Sequence, residues 1–323
     1  MLPQRGGSVP VVVSRPPLTL RSMVPPRAAG VADAGVVLWR FGRPHTVIGT
    51  TASILGLYVI AVADGGAAAR PLDLACTLLA GWCVNVFIVG VNQVEDVEID
   101  RINKPQLPIA AGDLSLVAAR RIVAGCAVVP VALALTQGPV ELAAVSIALL
   151  VGWAYSCPPL RLKRHAALAS LSIAFVRTLV VNLGVWLHFA PGGVSPAVWA
   201  LTAFTLPYSL AIAVLKDVPD VEGDRRFDIA TFSVRLGARP VFALGLGLLT
   251  AAELGMAIAG PLLLHSASAP VLVATHLAAA ALLWWWAAQV DLADDASVTR
   301  FYQRVWKLFF CEYAMLPAAY VLG

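Results

Sequence analysis

The sequence predicts an all-α polytopic membrane protein of about nine transmembrane helices, and three observations carry that expectation. The 323-residue chain is 59% hydrophobic and 13% charged, roughly half the charged fraction of a soluble domain. Its mean hydropathy is +0.80, and apolar runs of about 20 residues, the length a spanning helix needs, recur along it. The runs are continuous rather than alternating, which argues against a transmembrane β-barrel.

The elements follow in order. The N-terminal segment carries Arg5, Arg15, Arg21 and Arg27, several Ser and Pro, and no acid before Asp33. That composition favours an organelle transit peptide over a plain tail, so residues 1–34 are read as a leader and 35–323 as one membrane domain. Nine apolar segments are expected at about 45–64, 73–95, 117–135, 139–156, 167–189, 195–216, 240–260, 268–290 and 304–322. Segments two and six run into acidic ends. Segment five encloses Arg177, a charge that costs ~2.5–3.5 kcal/mol at mid-membrane and is expected to face a cavity or a partner. Segment eight ends near Trp284-Trp285-Trp286, an aromatic belt. The basic and aromatic stretch 300–313 reads as an interfacial anchor. The five cysteines form no CxxC pair and are taken as small buried apolar residues. The histidines show no metal spacing and are taken as structural.

Loop charge alternates. After segments one, three, five and seven only Arg70 is basic, whereas the loops after two, four, six and eight hold clustered Arg and Lys, and Arg40 and Arg43 precede segment one. The N-terminus and the even loops therefore share the positive-inside face. Ten of the nineteen acids fall in two short windows on that same face, 95–113 and 217–228.

Those windows contain a repeat: Asp96-Val97-Glu98-Ile99-Asp100-Arg101 and Asp220-Val221-Glu222-Gly223-Asp224-Arg225. With Asn92 the first reads Asn92-x3-Asp96-x3-Asp100, and helical spacing puts the three side chains on one face with a drift of ~40° per step. Asp217, Asp220 and Asp224 share a face in the second, where Pro219 and Gly223 loosen the helix end. Two facing carboxylate clusters repel unless cations lie between them. Carboxylate and amide oxygens suit Mg²⁺, which keeps waters and is shared with substrate phosphates; Asn92, Asp96, Asp100, Asp217, Asp220 and Asp224 are the candidate ligands. Arg101, Lys104, Lys163, Lys216 and Arg225 surround them, as binding a diphosphate requires. Tyr155 ends segment four beside this site. A lipid diphosphate, with its polar head at the interface and its tail in the bundle, is the substrate class implied. A cation-coupled transporter is the rival from another class; acids at helix ends beside basic loops favour the diphosphate. No P-loop, GxSxG or HExxH motif is present, and no nucleic-acid or protein partner is expected.

The two acid motifs over nine helices resemble the UbiA superfamily of intramembrane aromatic prenyltransferases. Longer blocks, Trp39 to Thr50, Asn92 to Pro108, Tyr155 to Arg164, Lys216 to Asp224, Ser233 to Gly237 and Phe301 to Tyr313, are similar to its homogentisate prenyltransferase branch. The resemblance covers roughly residues 38–322. It implies Mg²⁺-dependent transfer of a prenyl group, phytyl above all and solanesyl as the alternative, from its diphosphate to homogentisate with decarboxylation, in a plastid envelope or thylakoid membrane. By position it implies that Asn92, Asp96, Asp100, Asp220 and Asp224 bind Mg²⁺-diphosphate, with Asp217 in support and Lys104, Lys163 and Arg225 on phosphate. Arg43 and His45 are candidates for the acceptor carboxylate. One departure is Gln93, where many superfamily members carry Asp.

Overall fold

The computed structural model describes residues 31–64 and 66–323. The expected leader lies outside the described residues except for its last four positions, which open the first helix. The helices are α1 Val31–Phe41, α2 Pro44–Ala63, α3 Pro71–Glu95, α4 Val97–Asn103, α5 Pro108–Ala111, α6 Leu116–Gln137, α7 Pro139–Ser156, α8 Ala166–Ala174, α9 Val181–Phe189, α10 Pro196–Leu215, α11 Val221–Arg226, α12 Phe232–Leu236, α13 Ala238–Leu263, α14 Ala269–Ala287 and α15 Asp295–Val321. Proline opens α2, α3, α7 and α10, at the one helical position where its missing N–H costs nothing. The Ser115 hydroxyl caps α6 by accepting from the Ala118 amide at 3.2 Å. Among the described residues the sole β feature is a bridge between His165 and Ala230.

Each of the nine expected segments falls on a helix. Among the described residues, eight helices are long and apolar enough to cross a bilayer, with α8 and α9 forming one span, Ala166–Phe189. The chain is thus an integral membrane protein by its helices. The ninth, α15, has 27 residues, and its first half carries Arg300, Arg304 and Lys307 among the apolar residues. The α8–α9 span is not regular: Phe175–Val180 winds as a π-turn around Arg177, a geometry that accumulates at functional sites.

Two apolar clusters organise the bundle. The larger joins α2, α9, α10, α13, α14 and α15 through residues such as Leu57, Leu201, Tyr208, Leu249 and Phe309. The smaller joins α3, α6 and α7 through Ala80, Val84, Ala134 and Val145. Within the larger one, the His276 ring bridges the Leu272 carbonyl at 2.8 Å and the Glu312 carboxyl at 2.9 Å, linking α14 to α15. A cavity of about 280 Å³ lies between the two clusters, walled by α2, α3, α7, the π-turn span, α10 and α15.

Two expectations are corrected. The stretch 300–313 is not merely an interfacial anchor: Phe301, Val305, Trp306, Phe309 and Tyr313 are buried in the core, because they share one helical face, while Arg300 and Lys307 on the other are exposed. The cysteines are free but not enclosed; four are half-buried and Cys311 is exposed.

Close helix contact depends on Gly56 of α2. A Cβ there would stand 2.6 Å from the Tyr313 carbonyl oxygen of α15, and small residues permit such backbone approach in membranes. Gly56→Val is expected to destabilise the detergent-purified protein by about 1–3 kcal/mol, measured by thermal unfolding against wild type.

Candidate active site

The first acid segment is held by one continuous backbone ladder. The helix changes direction at Asp96 (φ −111°, ψ 21°), where α3 gives way to α4. The i→i−4 bonds nevertheless persist: Asp96 N–H to Asn92 O at 3.0 Å, Asp100 N–H to Asp96 O at 2.8 Å, and Lys104 N–H to Asp100 O at 2.8 Å. Asn92, Asp96, Asp100 and Lys104 therefore stay on one face. In the second segment the chain leaves α10 through a turn at Asp217–Asp220 and re-enters a helix at Val221. Asp224 N–H bonds to Asp220 O at 3.1 Å.

Both hexapeptides divide the same way. Asp96, Asp100, Asp220 and Asp224 are 5–7% exposed, whereas Glu98, Arg101, Glu222 and Arg225 are exposed. Positions one and five of each copy face inward and positions three and six face out, as helical phase dictates. Arg101 turns away to pair with Glu98. It and Arg225 are exposed and stand apart from the inward carboxylates.

The inward carboxylates are met by cations and amides. Asp96 receives Lys163 at 2.5 Å and Arg161 at 3.2 Å, and Asn92 Nδ2 at 2.8 Å. Asp220 is paired with Lys104 of the other segment. Lys216 donates to the Tyr155 hydroxyl at 2.9 Å and lies 3.6 Å from Asp217. Asn103, which sequence reasoning missed, joins the two segments: its Nδ2 donates to the Asp220 carbonyl at 3.0 Å and to Asp224 Oδ1 at 3.3 Å, and its Oδ1 accepts the Gly223 N–H at 2.9 Å. Arg161 is the second omission from the expected site set. The His165–Ala230 bridge ties the connection after α7 to the one after α11, with Ala230 N–H on Arg164 O at 3.3 Å.

The electrostatics follow from burial. Asp100 is pushed up to about 6, chiefly by burial, with Arg43 and Lys104 opposing. Asp224 is pushed up to about 7 by burial and by neighbouring Asp217 and Asp220. Burial likewise raises Asp217, against the pull of Lys216, and lowers the Lys163 ammonium, which Asp96 supports. Burial alone would lower Lys216, but Asp217 and Tyr155 outweigh it and the ammonium is raised. Asp100 Oδ2 is buried without a hydrogen-bond partner. Among the described residues no three His, Cys, Asp or Glu side chains form a self-contained metal cage. The six expected ligands stand as two carboxylate groups joined through Lys104 and Asn103.

Below this polar layer the cavity opens. Arg43, Asn92, Tyr155 and Lys216 line its upper wall. Arg43 has φ 54°, an uncommon conformation for a non-glycine residue that concentrates at functional sites, and its guanidinium donates to Asn92 Oδ1 at 3.3 Å. Arg161 and Asp228 are the other non-glycine residues with positive φ among those described, and both lie on this face. Arg177 extends over Trp306, 4.7 Å from the ring centroid, with its buried Nη1 unpaired. His45 packs on Trp306 at 5.1 Å and near Tyr302 at 6.5 Å. These four side chains form a cationic and aromatic box on the cavity wall. Gln93 serves the scaffold instead: its Nε2 donates to the Phe41 carbonyl at 2.8 Å and anchors α1 to α3.

Asn103→Ala is expected to cost about 1–3 kcal/mol of stability by removing the bridge. A Cβ on Gly223 would overlap the Asn103 amide, so Gly223→Ala also destabilises. The double variant makes room for the new methyl and is expected to be less damaged than the two single effects combined. Strict additivity in thermal unfolding would show that the two positions do not touch.

The chain's relatives fit this architecture. Residues 51–310 match the model of the UbiA prenyltransferase family. The homogentisate phytyltransferase of Synechocystis sp. is 46% identical over 290 residues, covering 87% of this chain and 94% of that protein. The homogentisate geranylgeranyltransferase of Triticum aestivum is 36% identical, covering 86% and 71%. A UbiA homologue from Archaeoglobus fulgidus, solved bound to DMAPP and Mg²⁺, shares the fold with a TM-score of 0.61 at 17% identity, covering 87% of this chain and 99% of that one. The chain belongs to the UbiA prenyltransferase family and is a prenyltransferase.

Proposed function

We propose that this protein transfers a phytyl group from phytyl diphosphate to homogentisate with decarboxylation, giving 2-methyl-6-phytylbenzoquinol. The observation that carries the reading is the meeting of the two acid segments, with their cations, over the mouth of an apolar cavity. The 46% identical relative named for phytyl transfer supports the donor and acceptor. The relative named for geranylgeranyl transfer keeps that donor as the second reading. The Arg-rich leader, without an acid before Asp33, supports residence in a plastid membrane.

The donor set fits a hard divalent ion shared with a diphosphate: carboxylate and amide oxygens, one of them, Asp100 Oδ2, buried and unpaired. Asn92, Asp96 and Asp100 would hold one ion, and Asp220 and Asp224 with Asp217 another; the Mg²⁺ and DMAPP of the Archaeoglobus protein support the same chemistry here. When bound, Mg²⁺ supplies positive charge to the leaving diphosphate.

The chain's own groups do the rest. Lys163, Arg161, Lys104 and Lys216 hold the diphosphate oxygens and stabilise the charge that develops as the allylic C–O bond breaks. Arg43, fixed by its backbone, orients the end nearest Asn92. The box of His45, Arg177, Tyr302 and Trp306 holds the acceptor, with Arg177 facing its carboxylate and the rings packing on its aromatic face. Attack of the acceptor ring on the allylic carbon forms the new C–C bond as diphosphate leaves, and the attacked ring carbon gives up its proton to restore aromaticity; the acceptor side chain loses CO₂ and its methylene carbon takes a proton.

The defining experiment offers labelled homogentisate and Mg²⁺ with phytyl, geranylgeranyl and solanesyl diphosphates to membranes containing the protein, and a phytylated quinol is the expected product. Asp96→Asn is expected to reduce turnover by at least about a hundredfold while the protein stays folded in the membrane. Arg177→Gln is expected to raise the homogentisate KM far more than the donor KM; an unchanged acceptor KM would remove Arg177 from that role. Asp100 and Asp224 are raised to about 6 and 7, so below those values they hold protons that an incoming cation must displace. Divalent-ion affinity is therefore complete above both values and falls as pH drops through 7 towards 6, measured by titration calorimetry across pH.

A further inference from the structure

The cavity is a slot of definite depth. On α3 its lining runs Thr77, Gly81, Ile88, Asn92, and on α7 it runs Glu141, Ala148, Gly152, Tyr155; each set keeps one helical face. Asn92 and Tyr155 stand at the diphosphate end. Thr77 and Glu141 stand at the other, 15 and 14 residues away along their helices, which is about 21–23 Å at 1.5 Å per residue. Both deep residues are buried, at 3% and 4% exposure, and the Thr77 hydroxyl lies beside the Glu141 carboxyl. Between the ends the two walls carry apolar and small side chains apart from Asn85, whose amide donates to the Gly42 carbonyl at 3.1 Å.

We infer that this slot measures the donor's tail, with Glu141 and Thr77 as its floor; the inference deepens the proposed transfer from a prenyl diphosphate and rests on it. A tail of four isoprene units has a main chain of about sixteen carbons, which at roughly 1.25 Å advance per C–C bond extends about 20 Å. Such a tail spans the slot from Asn92 to its floor. A longer one presses hydrocarbon onto a buried carboxyl and a hydroxyl, groups that hydrocarbon cannot satisfy. A shorter one leaves apolar wall uncovered and forfeits burial. The small side chain of Ala148 sets the free depth midway, and the polar pair at the floor sets the limit.

The test is direct binding of prenyl thiodiphosphates, which resist cleavage, to the full chain in lipid nanodiscs with Mg²⁺ present. Geranyl, farnesyl, geranylgeranyl and solanesyl forms are compared. Wild type is expected to bind geranylgeranyl best. Ala148→Leu is expected to shift the farnesyl to geranylgeranyl affinity ratio by at least about tenfold towards the shorter tail, as one isoprene unit loses its buried place. Glu141→Ala is expected to shift the solanesyl to geranylgeranyl ratio about tenfold the other way. Ala144→Val, a smaller addition near the floor, gives a milder shortening and stands in if Ala148→Leu does not fold. Affinity that climbs through solanesyl, with unchanged ratios in the variants, overturns the inference. It would mean that the tail leaves sideways into the bilayer, where an apolar groove beside α7 shares Val151 and Ser172 with the cavity. Turnover of homogentisate by wild type is measured in parallel. Donor binding without that turnover overturns the acceptor assignment alone, and absence of donor binding overturns both.

Discussion

A carboxylate taken out of water inside a membrane protein must meet a cation or a hydrogen-bond donor, because an unpaired buried charge costs several kcal/mol. Four such carboxylates sit at one end of this bundle, and the surrounding structure brings cations or amides to Asp96, Asp220 and Asp224 while leaving Asp100 Oδ2 unpaired. Lys163 and Arg161 come from the connection after α7, Asn103 from the last turn of α4 and Lys104 from the residue that follows it. Each of these partners belongs to a different piece of chain from the acid it serves, and Asn92 alone serves Asp96 from its own helix. Neutralising the acids therefore folds the loops over the helix ends, and the loops become a lid of matched charges rather than loose connections. The left-handed backbone at Arg43 and Arg161 shows where the chain accepts strain to bring a guanidinium to its carboxylate or amide partner.

The polar layer and the apolar slot are built from the same helices. Asn92 and Tyr155 end the α3 and α7 stripes that line the slot, so the register of those helices sets both where a charged head is held and where hydrocarbon begins. The two apolar clusters, α2 with α9, α10 and α13–α15 on one side and α3 with α6 and α7 on the other, leave the space between them. The aromatic face of α15 reaches into it with Tyr302 and Trp306 while its basic face looks outward.

Much of this was legible in the sequence, and the reasons are physical. Spans were legible because bilayer thickness imposes a length on apolar runs, and the alternation of loop charge assigned both acid segments to one face. The four-residue spacing of Asn92, Asp96, Asp100 survived even though the helix breaks at Asp96, since the i→i−4 ladder continues through the break. Asn103 was not legible: an asparagine at the end of a short polar helix carries no mark of a partner about 120 residues away, and its contacts exist only once α4 and α11 pack. The exposed fates of Arg101 and Arg225 were written in helical phase, since position six of each hexapeptide falls off the face shared by positions one and five. The same phase argument, applied to 301, 305, 306, 309 and 313, marks a buried face where composition alone suggested an anchor.

The bridge between the two hexapeptides bears on how a doubled motif comes to diverge. Where the copies touch, one contributes Asn103 and the other the bare backbone of Gly223. In the first copy the place equivalent to Gly223 is Ile99, which is buried. In the second, Phe227 stands where Asn103 would be. Two identical copies cannot dock in this manner, because a side chain at 223 would occupy the space of the amide that bridges them. The halves are related as plug and socket, and that relation requires them to differ at the two positions where they meet while keeping the four aspartates that they share.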